Sequence, residues 1–136
     1  MKKFDKMNLK ERREQFYKSV RYYFFDVLKM YDQELYLESS NESEHFRARM
    51  LEHEYTHGAN QKTIIVSENW LEDCVDIDEL ERVAFHETIE ALLGELAGMI
   101  LHHSRCTVEL PTPNLNAAIH RVIRKLEHTN LVRKEK

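Results

Sequence analysis

"AFHETIEALLGELAGMI", residues 84–100, decides how the rest of this chain is read. Its apolar residues recur at spacings of three and four, the period of an α-helix with a buried face. At about 100° per residue with His86 at zero, Val83, Phe85, Ile89, Leu92, Leu93, Leu96, Ala97 and Ile100 share one broad apolar arc. Glu90, near +40° on the same wheel of about 100° per residue, falls inside that arc with His86. Glu87, near +100°, stands at its edge beside Gly94 and Gly98, which permit close approach of another helix. Glu81 and Glu95 point away and are expected in solvent.

A histidine and a carboxylate one turn apart on a buried face call for a physical reason. An isolated buried carboxylate is costly unless it is paired or coordinated. A direct His86–Glu90 ion pair is one solution. A divalent metal held by both is the other, and it alone gives Glu87 a task.

Outward from this helix, the chain reads as one α+β domain over its 136 residues. Residues 8–33 have the pattern of a long amphipathic helix, with Asn8 and Glu11 at capping-box spacing. Phe16, Val20, Tyr23, Phe24, Val27, Leu28 and Tyr31 form its stripe. Leu35–Leu37 is a short strand candidate before the polar break SSNES. Alternation over 44–57 and the β-branched run KTIIVS at 62–67 predict a hairpin in a small antiparallel or mixed sheet of three strands. ENWLEDC, 68–74, suits a single helical turn. Asp78 and Glu81, again at capping-box spacing, are expected to start the helix that carries His86, which then reaches His102 or His103. Two prolines in CTVELPTPNLN mark a break, and a last helix is expected over about 115–130.

Composition narrows the function classes. Lys plus Arg is 20 and Asp plus Glu is 24, a net charge of −4. The basic residues Arg12, Arg13, Lys18 and Arg21 have acids beside them, so no nucleic-acid surface is expected. The charged N-terminus has no apolar segment of a secretory signal, and no run of about 18 apolar residues spans a membrane. The two cysteines, Cys74 and Cys106, are expected as free thiols in a cytoplasmic protein.

His86-Glu87-Thr88-Ile89-Glu90 resembles the HExxH motif of the zincin metallopeptidases, with Glu in place of the second His. The order of elements is also similar to small zincins of the ImmA/IrrE-like and SprT-like groups, with KTIIVS as the strand before the motif helix. FHETIEA with the later His120, Ile123, Leu126 and Glu127 is similar, too, to small phage and bacterial proteins that join such a helix to an H-x-x-I-x-x-L-E pattern. The resemblance covers about residues 62–130. It implies a minimal zincin-like fold, His86 and Glu90 as metal ligands, and Glu87 as the base that polarises metal-bound water for attack on a peptide bond. Zinc is the implied cofactor; a Glu ligand also suits Mn²⁺ or Fe²⁺.

A third ligand has several candidates. His102 and His103 lie roughly 25 Å farther along the same helix and cannot share an ion with His86. His120, from a separate helix, is the better choice, with Glu127 two turns on as the alternative. His45, His53 and His57 fall in the hairpin region, where a substrate-binding role would need one of them to face the site.

Two rival functions follow from other features. Glu87, Glu90, Glu95 and Glu127 are loosely similar to the ExxE…ExxD carboxylates of MazG-type NTP pyrophosphatases, which implies Mg²⁺ and a triphosphate. Against that, Glu127 is followed by His128, Thr129 and Asn130, and KTIIVS does not suit an all-α fold. A non-catalytic phage or bacterial accessory protein, its helix pair a surface for a protein partner, is the other.

Overall fold

In a computed structural model of the chain, residues 3–31, 33–41, 46–50, 61–107 and 112–127 are described, with 94–107 and 112–119 described by backbone only. The fold is α+β, with four α-helices and a three-stranded mixed sheet among the described residues.

Helix α1, Leu9–Arg21, starts where its sequence signal places it. The Asn8 side chain accepts from the Glu11 amide at 2.9 Å, and the Glu11 carboxylate accepts from the Asn8 amide at 3.2 Å. This reciprocal cap satisfies two of the amides that a helix start leaves without intrahelical partners. The helix does not run to residue 33. After Arg21 it widens into a π-helical stretch, Tyr22–Val27, closed by the Leu28 amide on the Tyr23 carbonyl at 2.9 Å. Lys29 then takes a left-handed conformation, φ 56°, and reverses the chain. The reversal buries Met30 against Phe24, Met50 and Ala91, a gain that helical periodicity cannot anticipate.

Three strands follow, β1 Glu34–Ser40, β2 Ala48–Met50 and β3 Gln61–Ser67. Their order in the sheet is β1-β3-β2, so the last strand in sequence is central. β3 pairs with β1 in parallel, from Glu34↔Gln61 to Ser40↔Ser67, and with β2 antiparallel, Ala48↔Val66 to Met50↔Ile64. Of the hairpin expected over 44–57 and 62–67, the pairing of 48–50 with 64–66 is present, while 44–45 and 51–57 lie outside the described residues. Buried on both faces, Lys62–Ser67 reads as a continuous run rather than an alternation, as a central strand should.

Ser67 ends β3 and caps the short helix α2, Glu68–Asp73, by accepting from the Trp70 amide at 3.3 Å. Arg12 seals the other end of α2. Its Nη1 donates to the carbonyls of Leu71 at 2.7 Å, Glu72 at 3.0 Å and Cys74 at 2.7 Å, and its guanidinium lies 4.7 Å from the Phe4 ring centre. Cys74 is a free, buried thiol, pushed up to about 11 chiefly by burial.

Helix α3, Ile77–Thr107, carries the motif. Its cap is Asp76 rather than Asp78: the Asp76 carboxylate accepts from the Glu79 amide at 2.7 Å, two residues earlier than expected. Helix α4, Thr112–Glu127, likewise begins before residue 115. Pro113 sits in its first turn, where a missing amide proton is not needed. The core lies between α1, the sheet and α3, with Phe16, Val20, Tyr23, Ile64, Val66, Leu80, Ala84, Phe85 and Ile89 buried together, and Ile123 of α4 joins it. No helix among the described residues is long and apolar enough to cross a membrane.

Candidate metal centre

Two helices build the site. On α3, Ala84, Phe85 and Ile89 fix the rotation of the helix by packing into the core, which turns His86 and Glu90 to one side. On α4, Ile123 is fully buried and anchors the helix across α3, so that His120, one turn earlier, faces His86. The two imidazoles stand 5.6 Å apart between ring centres at an interplanar angle of 45°. One donor atom from each of His86, Glu90 and His120 lies within 4.8 Å of the other two, so this group can hold a metal ion.

The distances within the group suit that use. Nε2 of His86 is 3.4 Å from Oε2 of Glu90. Two ligands about 2.1 Å from one ion in tetrahedral array stand about 3.4 Å apart, so His86 and Glu90 already span one ligand edge. The other imidazole nitrogen, Nδ1, is engaged by Oε1 of Glu127 at 2.7 Å.

His86 is therefore flanked by carboxylates on both sides. Hydrogen bonding to Glu90 is the larger influence and Glu127 adds to it, while burial opposes both; the result is an imidazole raised to about 9. An imidazole raised that far holds its proton through neutral pH, so a metal bound at this nitrogen would have to displace a proton.

Glu87 is placed differently. It is only 5 % exposed, and its Oε2 is buried with no hydrogen-bond partner among the described residues. Burial first and the neighbouring Glu90 charge second push its carboxyl well above the usual carboxylate range, against the opposing pull of His86. It lies outside the group of three donors.

Of the residues expected from the sequence, His86, Glu90 and His120 meet in space, and Glu127 joins them through His86. His102 and His103 belong to the same unbroken helix as His86, far along its axis, and their side chains lie outside the described residues, as do those of Glu95 and Cys106. His45, His53 and His57 also lie outside the described residues.

Glu81 corrects the wheel. Expected in solvent, it is 3 % exposed and accepts from the hydroxyls of Ser19 and Tyr23, each at 2.6 Å. α1 covers the face of α3 that the wheel assigned to water. The signal available was the pair Ser19 and Tyr23, polar groups at i and i+4 inside an otherwise apolar stripe.

No protein-family model matches the chain, and neither a curated protein nor a solved structure does.

Proposed function

We propose that this chain is a metal-dependent hydrolase of metallopeptidase type, with His86, Glu90 and His120 as ligands and Glu87 as the proton-accepting residue. The observation that carries the reading is the convergence of three donor atoms from two helices within 4.8 Å. Two imidazoles with one carboxylate are a donor set that zinc takes and that Fe²⁺ takes as well; zinc is the ion that the HExxE resemblance implies. Three protein ligands leave a fourth position for water or substrate, the pattern of catalytic rather than structural zinc sites. When bound, the ion supplies Lewis-acid polarisation of a carbonyl. The unpartnered Oε2 of Glu87 is an acceptor with capacity to take a proton. A peptide bond as substrate follows from the HExxE resemblance.

A second reading, metal binding without catalysis, is favoured by the burial of Glu87, which is 5 % exposed and whose carboxyl burial pushes well above the usual carboxylate range. The three-stranded sheet is unlike the all-α pyrophosphatases.

The test is elemental analysis of protein purified without tag or chelator, followed by digestion of an unfolded protein substrate. About one equivalent of zinc, lost in His86→Ala and His120→Ala, supports the site. Hydrolysis that vanishes in Glu87→Gln while the zinc stays supports the enzyme. Metal-free protein indifferent to added zinc refutes both readings, and zinc without hydrolysis leaves the non-catalytic one.

A further inference from the structure

α4 reaches His86 twice, and the two contacts are unlike. His120 brings a ring nitrogen into the donor group. Glu127, seven residues on and within about 20° of the same helical face, brings a carboxylate to the opposite nitrogen of His86. Ile123, buried between them in sequence, holds that face of α4 against α3.

We infer that Glu127 is a positioning residue for the metal centre: it holds His86 in the tautomer and ring orientation that present Nε2 to the ion. This rests on the reading that His86, Glu90 and His120 bind metal. An ionised carboxylate only accepts hydrogen bonds, so at 2.7 Å the proton must sit on Nδ1 of His86. A neutral imidazole then has its lone pair on Nε2 alone, the atom 3.4 Å from Glu90. The carboxylate also makes the ring a stronger donor to a cation by stabilising positive charge on it. The Glu127 side chain is 12 % exposed, which shields this bond from competition with water.

The same geometry separates Glu127 from the ligand role that the sequence kept open for it as the alternative to His120. A carboxylate on Nδ1 sits across the ring from Nε2, so one ion cannot take Nε2 of His86 and this oxygen of Glu127 together.

The test compares zinc affinity in the full chain by competition with a chromophoric chelator, for wild type, Glu127→Gln, Glu127→Ala and His120→Ala. Loss of an outer partner of a ligand histidine weakens metal binding about 10- to 100-fold. Glu127→Ala should fall in that range with stoichiometry kept at one. Glu127→Gln, which keeps an acceptor without the charge, should lose less, and His120→Ala should lose more than either. Metal-free circular dichroism and melting confirm that each variant is folded. If Glu127→Ala disrupts folding, Glu127→Gln alone carries the comparison.

¹⁵N NMR of His86 in the zinc-loaded wild type gives a readout that a merely structural role would not move. A protonated Nδ1 and a coordinated Nε2 are expected, with Nδ1 losing its downfield, strongly hydrogen-bonded proton in Glu127→Ala. Zinc affinity unchanged within twofold in Glu127→Ala, or zinc on Nδ1, overturns the inference while leaving the metal site standing. Absence of zinc binding in wild type overturns both.

Discussion

The Tyr23 hydroxyl donates to the Glu81 carboxylate at 2.6 Å, and this bond ties the π-helical end of the first helix to α3 five residues before His86. Ser19 donates to the other oxygen at the same distance, so a buried acid is satisfied by two hydroxyls from one face of α1 and the turn after it. Short hydrogen bonds from hydroxyls to a buried acid are costly to lose. Tyr23→Phe keeps the edge-on ring contact with Phe85, 5.3 Å between centres, and removes the hydroxyl that donates to Glu81. It should destabilise the protein by about 1.5–3 kcal/mol in urea unfolding. A loss below about 0.5 kcal/mol would show that Glu81 is satisfied without Tyr23.

The metal-free protein should be most stable at mildly acidic pH. His86 is raised to about 9, so its contribution is whole below the unfolded value near 6.5 and is lost as pH rises through 9. Glu87 acts in the same direction: above about 4.5 the unfolded chain ionises it while the folded chain holds the proton, which lowers stability as pH rises. Melting in the presence of chelator should therefore fall steadily from about pH 6 to 9. His86→Gln should flatten the upper part of that slope, and an unchanged slope would mean that another group governs it.

Zinc affinity should run the opposite way. The ion must displace a proton from His86, so the apparent affinity should rise about tenfold per pH unit up to about 9 and then level. For an unperturbed histidine the levelling would come near 6.5. Calorimetry at pH 7.5 in buffers of different ionisation enthalpy should report close to one proton released per zinc. A dissociation constant that is flat between pH 7 and 9 would place the metal elsewhere.

Lys29 holds a left-handed conformation at φ 56°, where a side chain with a Cβ is strained. Lys29→Gly should raise stability by about 0.5–1 kcal/mol, because the relief exceeds the added freedom of the unfolded chain. Lys29→Val should cost more than it does at an ordinary exposed site. The urea midpoints of the two variants, moving in opposite directions, are the check.

The parts legible in the sequence are those governed by neighbours along the chain. Asn8 with Glu11, Ser67 before α2, the KTIIVS strand and the His86–Glu90 face all depend on residues within a turn or a strand of each other. The parts that were not legible depend on distant partners. Glu81 looks solvated until α1, some sixty residues earlier, is laid over it. Arg12 looks like a surface cation until the end of α2 offers it three carbonyls. In the candidate metal centre the same division holds. The wheel places His86 with Glu90, but the packing of α4 decides that His120 joins the donors and that Glu127 takes the other side of the imidazole.

The central place of β3 has a consequence for how the chain acquires its shape during synthesis. β1 and β2 emerge first, and neither pairs with the other; both take their hydrogen bonds from a strand that follows them. Until Gln61–Ser67 has left the ribosome there is no sheet to form, and α1 has neither the sheet nor α3 to receive Phe16 and Val20. Nascent chains arrested before residue 61 should therefore be open to protease along β1, and protection should arrive in one step once β3 and the start of α3 are free of the exit tunnel.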